Sequence, residues 1–288
     1  MSDSDVPPSW RTLLSQYPNL PAGKLRWWLS DLLDCSLTAI PLDQIPDAGE
    51  RARFHQAARR LENHEPVQYI CGKAPFRDFE LRVTPDVLIP RPETEQLVDQ
   101  VLREMPHTPL RVLDVGTGSG CIAIALKRAR PQWNLTGIDL SEHALRIARE
   151  NAQSLKAEIT FRTGNLLEGC ADSSADLILA NLPYIGEEEC SDLPPDVRDH
   201  EPGLALFAAD QGTALVIQLI YQARTVLSPE GRLYLETGET QTPIYQQTAA
   251  AAGAEMVSTC DLAGRERFHR LIYRRDSRIP SASSNVSA

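Results

Sequence analysis

The stretch that most restricts what this chain can fold into begins at Arg111. Arg111-Val112-Leu113-Asp114-Val115 is a short apolar strand, Gly116-Thr117-Gly118-Ser119-Gly120 follows, and an apolar helix is expected over 121–130. A strand, a glycine-rich turn and a helix make the front half of a βαβ unit, whose chain crosses over and returns parallel to the strand it left. The alternation continues. Strands are expected over 134–138, 158–163, 175–180 and 231–236, helices over 142–154, 212–227 and 240–252, and two last strands at 255–260 and 268–274. The pattern predicts an α/β fold with a doubly wound, mostly parallel sheet of seven strands. The connection between the last two strands is too short for a crossover helix, so the final strand is expected to run antiparallel.

Upstream of this region the texture differs. Leu25, Trp28, Leu29, Leu32 and Leu33 recur at spacings of three and four, the stripe of an amphipathic helix. Pro41 and Pro46 separate it from a second helix over 50–63, whose Arg51, Arg53, Arg59 and Arg60 read as a solvated face. Between 66 and 95 turns and short strands take over. Phe79, Leu81 and Val83 alternate with charged residues, and Val87-Leu88-Ile89 runs into Pro90-Arg91-Pro92. A helix then opens at Glu93-Thr94-Glu95, with Thr94 or the residues before it as the cap. The expected organisation is a helical domain at 1–65, a connecting hairpin and linker at 66–95, the α/β domain at 96–275, and a polar, serine-rich disordered tail at 276–288.

A net charge of −10 over 288 residues argues against a broad basic face, so no direct nucleic-acid contact is expected. The six cysteines are scattered, with no C-x-x-C pair, and indicate neither a zinc site nor a disulfide framework. The acidic start of the chain lacks the apolar core of a signal peptide, and no apolar run approaches the roughly 18 residues of a membrane span. These features predict a soluble, cytoplasmic protein without membrane contact.

The ligand can be read from the turn. Its glycines fall at 116, 118 and 120, so the third arrives one residue before the G-x-G-x-x-G spacing of dinucleotide sites. Asp114 stands where a pyrophosphate would be repelled and a cationic ammonium group attracted. Asp139, at the tip of the second strand, is placed to accept hydrogen bonds from both ribose hydroxyls. An adenosine that carries an amino acid fits both acids, which points to S-adenosylmethionine and away from a dehydrogenase. A second feature concerns the other reactant. The apolar run 175–180 reads as a buried strand that stops abruptly at Asn181-Leu182-Pro183-Tyr184. Pro183 biases Leu182 away from helix, so the chain leaves the sheet in an extended turn. The Asn181 side-chain oxygen and the Leu182 carbonyl can then accept from one planar NH2 group, with the Tyr184 ring against its π-system. An Asn-x-Pro turn that merely closes a strand has the same sequence, and only its surroundings favour the functional reading.

These residues resemble the class I methyltransferases: Asp114-x-Gly116-x-Gly118-x-Gly120 is similar to their cofactor motif and Asp139 to their ribose-binding acid. More specifically, Glu65-Pro66-Val67-Gln68-Tyr69-Ile70, Gly72, Phe76 and Val87-Leu88-Ile89-Pro90-Arg91-Pro92-Glu93-Thr94-Glu95 resemble the PrmC/HemK family, as do Val197-Arg198, Glu201-Pro202 and Asp261-Leu262-Ala263-Gly264-Arg265. The resemblance spans roughly residues 10 to 275. It implies methylation of the side-chain amide nitrogen of the glutamine in the Gly-Gly-Gln motif of class I peptide chain release factors, with the N-terminal helical domain gripping the release factor. By position it implies a cofactor site at Asp114, Gly116, Thr117, Gly118, Ser119, Gly120, Asp139, Asn165, Leu166 and Asn181, and a substrate site at Asn181, Leu182, Pro183 and Tyr184. Three positions depart from the family pattern. Asn165 replaces the usual acid yet keeps an oxygen for the adenine amino group, Leu166 replaces a stacking ring, and Leu182 replaces the first proline of Asn-Pro-Pro-Tyr. Asn-Leu-Pro-Tyr is the form usual in ribosomal RNA adenine amino-methyltransferases, which are the alternative. Those enzymes are strongly basic, read Glu-x-Gly-x-Gly in the first motif and lack the Ile-Pro-Arg-Pro-Glu-Thr-Glu segment. A non-catalytic cofactor-binding adaptor is a further alternative, against which the intact Asn181 acceptor argues.

Overall fold

The computed structural model describes residues 7–274, so the expected disordered tail lies outside the described residues. The chain opens with helices α1 (Trp10–Ser15), α2 (Ala22–Leu32) and α3 (Ala48–Glu62). Their apolar stripes meet around Phe54, with Trp10, Leu13, Leu25 and Leu29 buried against it in a core of their own. The Trp10 and Trp28 rings approach Phe54 at centroid distances of 5.8 and 6.0 Å. Helix α3 starts two residues earlier than expected because Asp47 and Glu50 form a reciprocal capping box. Of its arginines, Arg53 and Arg59 are exposed, whereas Arg60 pairs with Glu65 and Arg51 donates to the Pro46 carbonyl.

The next segment contains a short helix that the sequence pattern did not suggest, α4 (Val67–Cys71). Pro66 precedes its first turn and Gly72, at φ +75°, ends it in the left-handed conformation that favours glycine. Strands β1 (Lys73–Phe76) and β2 (Phe79–Arg82) form an antiparallel hairpin. Val87 and Ile89 form no strand; they are buried with Tyr69 and Val83, and the Tyr69 hydroxyl donates to the Val87 carbonyl at 2.7 Å. Helix α5 (Pro92–Glu104) has proline at its first position, where the missing N–H costs nothing. Its cap residue is Arg91, without a side-chain capping bond, so Thr94 is not a cap and its hydroxyl is committed elsewhere.

The remaining elements are β3 (Arg111–Val115), α6 (Cys121–Ala129), β4 (Asn134–Asp139), α7 (Glu142–Ser154), β5 (Thr160–Thr163) and β6 (Ala175–Asn181). After them come the short helices α8 (Pro195–Arg198) and α9 (Gly203–Leu206), then α10 (Ala214–Val226), β7 (Leu227–Glu236), α11 (Thr242–Ala251), β8 (Ala254–Cys260) and β9 (Glu266–Tyr273). The seven strands are ordered β5-β4-β3-β6-β7-β9-β8. As expected, the last strand is antiparallel; it inserts between β7 and β8. Two apolar layers flank the sheet, one containing Leu97, Ile124 and Trp133, the other Ile178, Leu219 and Tyr245. Successive crossovers run outward in opposite directions from β3 and β6, which are paired in parallel with Val115 opposite Ala180. A crevice must open beyond the carboxyl ends of two such strands. No helix among the described residues is long and apolar enough to cross a membrane.

Candidate active site

The crevice is a cavity of about 280 Å³, and the turns that follow β3, β4, β5 and β6 all contribute to its wall. The turn after β3 is held open by backbone geometry. Gly116, Gly118 and Gly120 have φ of +72°, +53° and +84°, values an L side chain rarely adopts. Gly116 must also be small, because a Cβ there would come within 2.8 Å of Leu182 Cδ2 in the turn after β6. Gly116 and Thr117 donate their backbone N–H groups to the Ile138 carbonyl at 2.8 and 3.0 Å. Gly118 donates to Asp139 Oδ2 at 2.8 Å, and Ser141 to Asp139 Oδ1 at 2.9 Å. The Asp139 carboxylate thus ties two turns together on the cavity wall, with lone pairs to spare for hydroxyl donors. Burial raises its pKa above the ordinary aspartate value, although the N–H groups of Ser141, Gly118 and Leu140 oppose the shift.

Asp114 takes a different place from the one its sequence position suggested. It is fully buried and sits behind the glycine turn, outside the cavity lining. Thr117 Oγ1 and the Ala123 N–H donate to its Oδ2 at 2.6 and 3.2 Å, while Oδ1 has no hydrogen-bond partner among the described residues. Desolvation pushes its pKa up to about 6. Ser119 and Thr117 are likewise almost wholly buried, and both still reach the cavity wall. Asn165 and Leu166 line the far side. Asn165 Nδ2 donates to Glu168 at 2.9 Å, which leaves its oxygen for a donor. Leu166 holds φ +51°, a strained left-handed conformation that turns its side chain into the apolar layer beneath β6.

The turn after β6 brings the second set of predicted residues to the same cavity. Asn181, Leu182 and Pro183 line it. Asn181 Nδ2 donates to Thr94 Oγ1 at 3.0 Å, and among the described residues no donor is bound to Asn181 Oδ1. Tyr184 is half-buried and stands beside the cavity, outside its lining, in a field set by Glu236, Arg267, Arg91 and Glu93. Its carbonyl accepts from Gln241 Nε2 at 2.8 Å. A Cβ at Gly212, which has φ +80°, would stand 2.1 Å from that carbonyl oxygen.

Sequence reasoning missed three contributors. Thr94 supports Asn181 from helix α5. Glu236, the last residue of β7, is 1% exposed and faces Asn181 across the β6–β7 pairing. Glu201 is buried and pairs with Arg91 on the cavity wall at 2.5 Å, joining the segment before α5 to the segment after β6. The available signal was slight: a charge ending the apolar run Leu233-Tyr234-Leu235, and a Glu-Pro beside a turn.

Comparison with known proteins follows this geometry. Residues 106–275 match a methyltransferase domain and residues 10–72 a PrmC N-terminal domain. The release factor glutamine methyltransferase of Enterococcus faecalis is 42% identical over 228 residues, covering 78% of this chain and 82% of that protein. The chain belongs to the release factor glutamine methyltransferase family. The corresponding protein of Lactococcus lactis is 44% identical over 186 residues, covering 65% of this chain and 68% of that one. A methyltransferase structure from Pyrococcus furiosus shares the fold, at a TM-score of 0.53 and 16% identity, over 75% of this chain and 96% of that one. The enzyme is a methyltransferase whose cofactor is S-adenosylmethionine. The donor set suits such a ligand: a carboxylate on the wall for hydroxyls and a glycine turn that leaves room for close approach.

Proposed function

We propose that this methyltransferase acts in the cytoplasm on class I peptide chain release factors, methylating the side-chain amide nitrogen of the glutamine in their Gly-Gly-Gln motif. The observation that carries the reading is the orientation of Asn181. Its NH2 group is turned to Thr94, so its oxygen is left for a donor at the cavity beside the Leu182 carbonyl. The names of the Enterococcus faecalis and Lactococcus lactis relatives support a release factor substrate.

The cofactor supplies a methyl group on a positively charged sulfur. Asp139 accepts from its ribose, Gly116 to Gly120 make room for its amino-acid end, and Asn165 and Leu166 hold the adenine. An amide nitrogen is a poor nucleophile because its lone pair is delocalised. Asn181 Oδ1 and the Leu182 carbonyl hold its two hydrogens and aim the lone pair, with the Tyr184 ring against the amide face. Rate then comes from near-attack positioning and from two oxygen dipoles set for the positive charge that grows on nitrogen. The helical domain at 1–65 holds the body of the release factor, with exposed Arg53 and Arg59 as its basic contacts.

The test is incubation of the full chain with a purified class I release factor and methyl-labelled S-adenosylmethionine, followed by peptide mass spectrometry. One methyl group is expected on the Gly-Gly-Gln glutamine, and none when that glutamine is replaced by alanine. Label on another residue, or on ribosomal RNA alone, overturns the reading.

A further inference from the structure

As an acceptor, Asn181 must have its amide held one way round. A primary amide presents an oxygen on one side and an NH2 on the other, and a half-turn about its last bond exchanges them. Flipped, Asn181 would offer a donor to a substrate NH2 that is itself a donor. Thr94 alone cannot prevent this, because a hydroxyl accepts from NH2 or donates to C=O equally well.

Glu236 removes the ambiguity. It lies opposite Asn181 in the register of β6 and β7, is almost wholly buried, and its Oε2 has no hydrogen-bond partner among the described residues. The Thr94 hydroxyl and the Asn181 amide hold its pKa down, so both favour its ionised form. An ionised carboxylate can only accept. Opposite a carboxylate, Asn181 is favoured with its NH2 end inward, and a Thr94 proton drawn toward Glu236 leaves the Thr94 lone pair for that NH2, the bond observed. We infer that Glu236 is a positioning residue which, through Thr94, fixes the Asn181 amide with its oxygen facing the substrate. The inference rests on the amide-clamp reading of Asn181.

A protonated Glu236 could donate instead, and the constraint would be lost. Burial first, then Glu93 on α5, raise its pKa to about 7, while Thr94, Arg267 on β9 and Asn181 oppose the shift. Tyr184 and Cys121 are the other titratable groups that sense it. Activity should therefore fall on the acid side of neutrality as Glu236 takes up its proton.

The experiment is a kcat and KM profile against pH for the full chain with a release factor substrate. Glu236→Gln, which can donate at any pH, is expected to lower kcat about tenfold or more above pH 8 and to flatten the acid limb, with the KM for cofactor unchanged. Thr94→Val should lose rate similarly, and Thr94→Ser should recover it, which a purely space-filling role would not produce. If Glu236→Gln fails to fold, the Thr94 pair decides alone. Wild-type kcat and an unchanged acid limb in Glu236→Gln overturn the inference, as does equal loss in Thr94→Val and Thr94→Ser. Asn181→Ala separates the two levels: if it is inactive while Glu236→Gln is normal, only this inference fails. If Asn181→Ala is itself active, the clamp reading fails first.

Discussion

The glycine turn after β3 and the asparagine turn after β6 face each other across one cavity, yet they are held by different means. The glycine turn is built locally. Three residues with positive φ set its path, and its bracing partners, Asp114, Ile138 and Asp139, lie within a short stretch of chain. The asparagine turn depends on residues that only topology brings together: Thr94 from α5, Glu236 from the neighbouring strand, and Gln241 from the approach to α11. On the proposed reading, the difference teaches that a cofactor site can be written in a contiguous motif, whereas aiming one substrate atom recruits the whole fold.

The sharpest way to break this contrast is Asn181→Ala. Removing one preorganised acceptor is expected to lower kcat about 10²-fold on a release factor, with cofactor affinity little changed in calorimetry. A near-normal kcat would mean that the turn only shapes the cavity. Asp139→Ala acts on the opposite side: cofactor affinity should fall about tenfold or more, and kcat at saturating cofactor should stay within a few-fold. Loss of kcat at saturation would show that the two turns are mechanically coupled.

Asp114→Asn tests whether the buried acid supports the loop or senses the ligand. The folded pKa of Asp114 lies above the ordinary value, at about 6, so the native state binds the proton more tightly than the unfolded chain does. Its contribution is fully present below pH 4 and is lost as pH rises through 6. Asparagine lacks that dependence. Its stability relative to wild type should rise by about 2 kcal/mol between pH 4.5 and 7.5 in urea titrations. A large loss of cofactor affinity would instead assign Asp114 a charge-sensing role through the loop. The smallest effect on rate is expected from Leu182→Pro. The carbonyl is kept, so kcat should remain within about threefold, while melting temperature falls because the buried Leu182 packs against Gly116. A larger fall in kcat would show that the leucine side chain, and not only its carbonyl, sets the aim.

Much of the α/β architecture was legible because its signals are local. Apolar runs ended by Asp139 or Asn181 and helices with one apolar face each declare themselves within a dozen residues. Insertion of the final strand between β7 and β8 was not, since loop length fixes direction but not the neighbour. Helix α4 escaped because five residues between Pro66 and Gly72 are too few for a periodic stripe. The site divides along the same line. Asp139, Gly116 and Gly118 were read from spacing and the fold brings them to the cavity wall, while Asp114, read as a ligand contact, lies one layer behind. The cap was read as Thr94 or the residues before it; the cap position falls to Arg91, and Thr94 is used otherwise. Its actual partner is 87 residues away, and no window along the sequence contains both.

The contact between Gly212 and Tyr184 has a consequence for how the enzyme can change. The chain from Ile185 to Gly212 leaves and returns at almost the same point. Ile185 exchanges backbone bonds with Leu206 and Ala208 at 3.1 and 2.9 Å, and Gln241 joins the carbonyls of Tyr184 and Gln211. The excursion is closed at its neck, but Glu201 within it is fixed to Arg91 and to the Ile89 N–H, so changes of length fall most freely on the mostly exposed stretch at 187–193. Sequence in that stretch is thereby free to drift while the Asn181 turn stays in place, and the restriction on Gly212 keeps the neck closed.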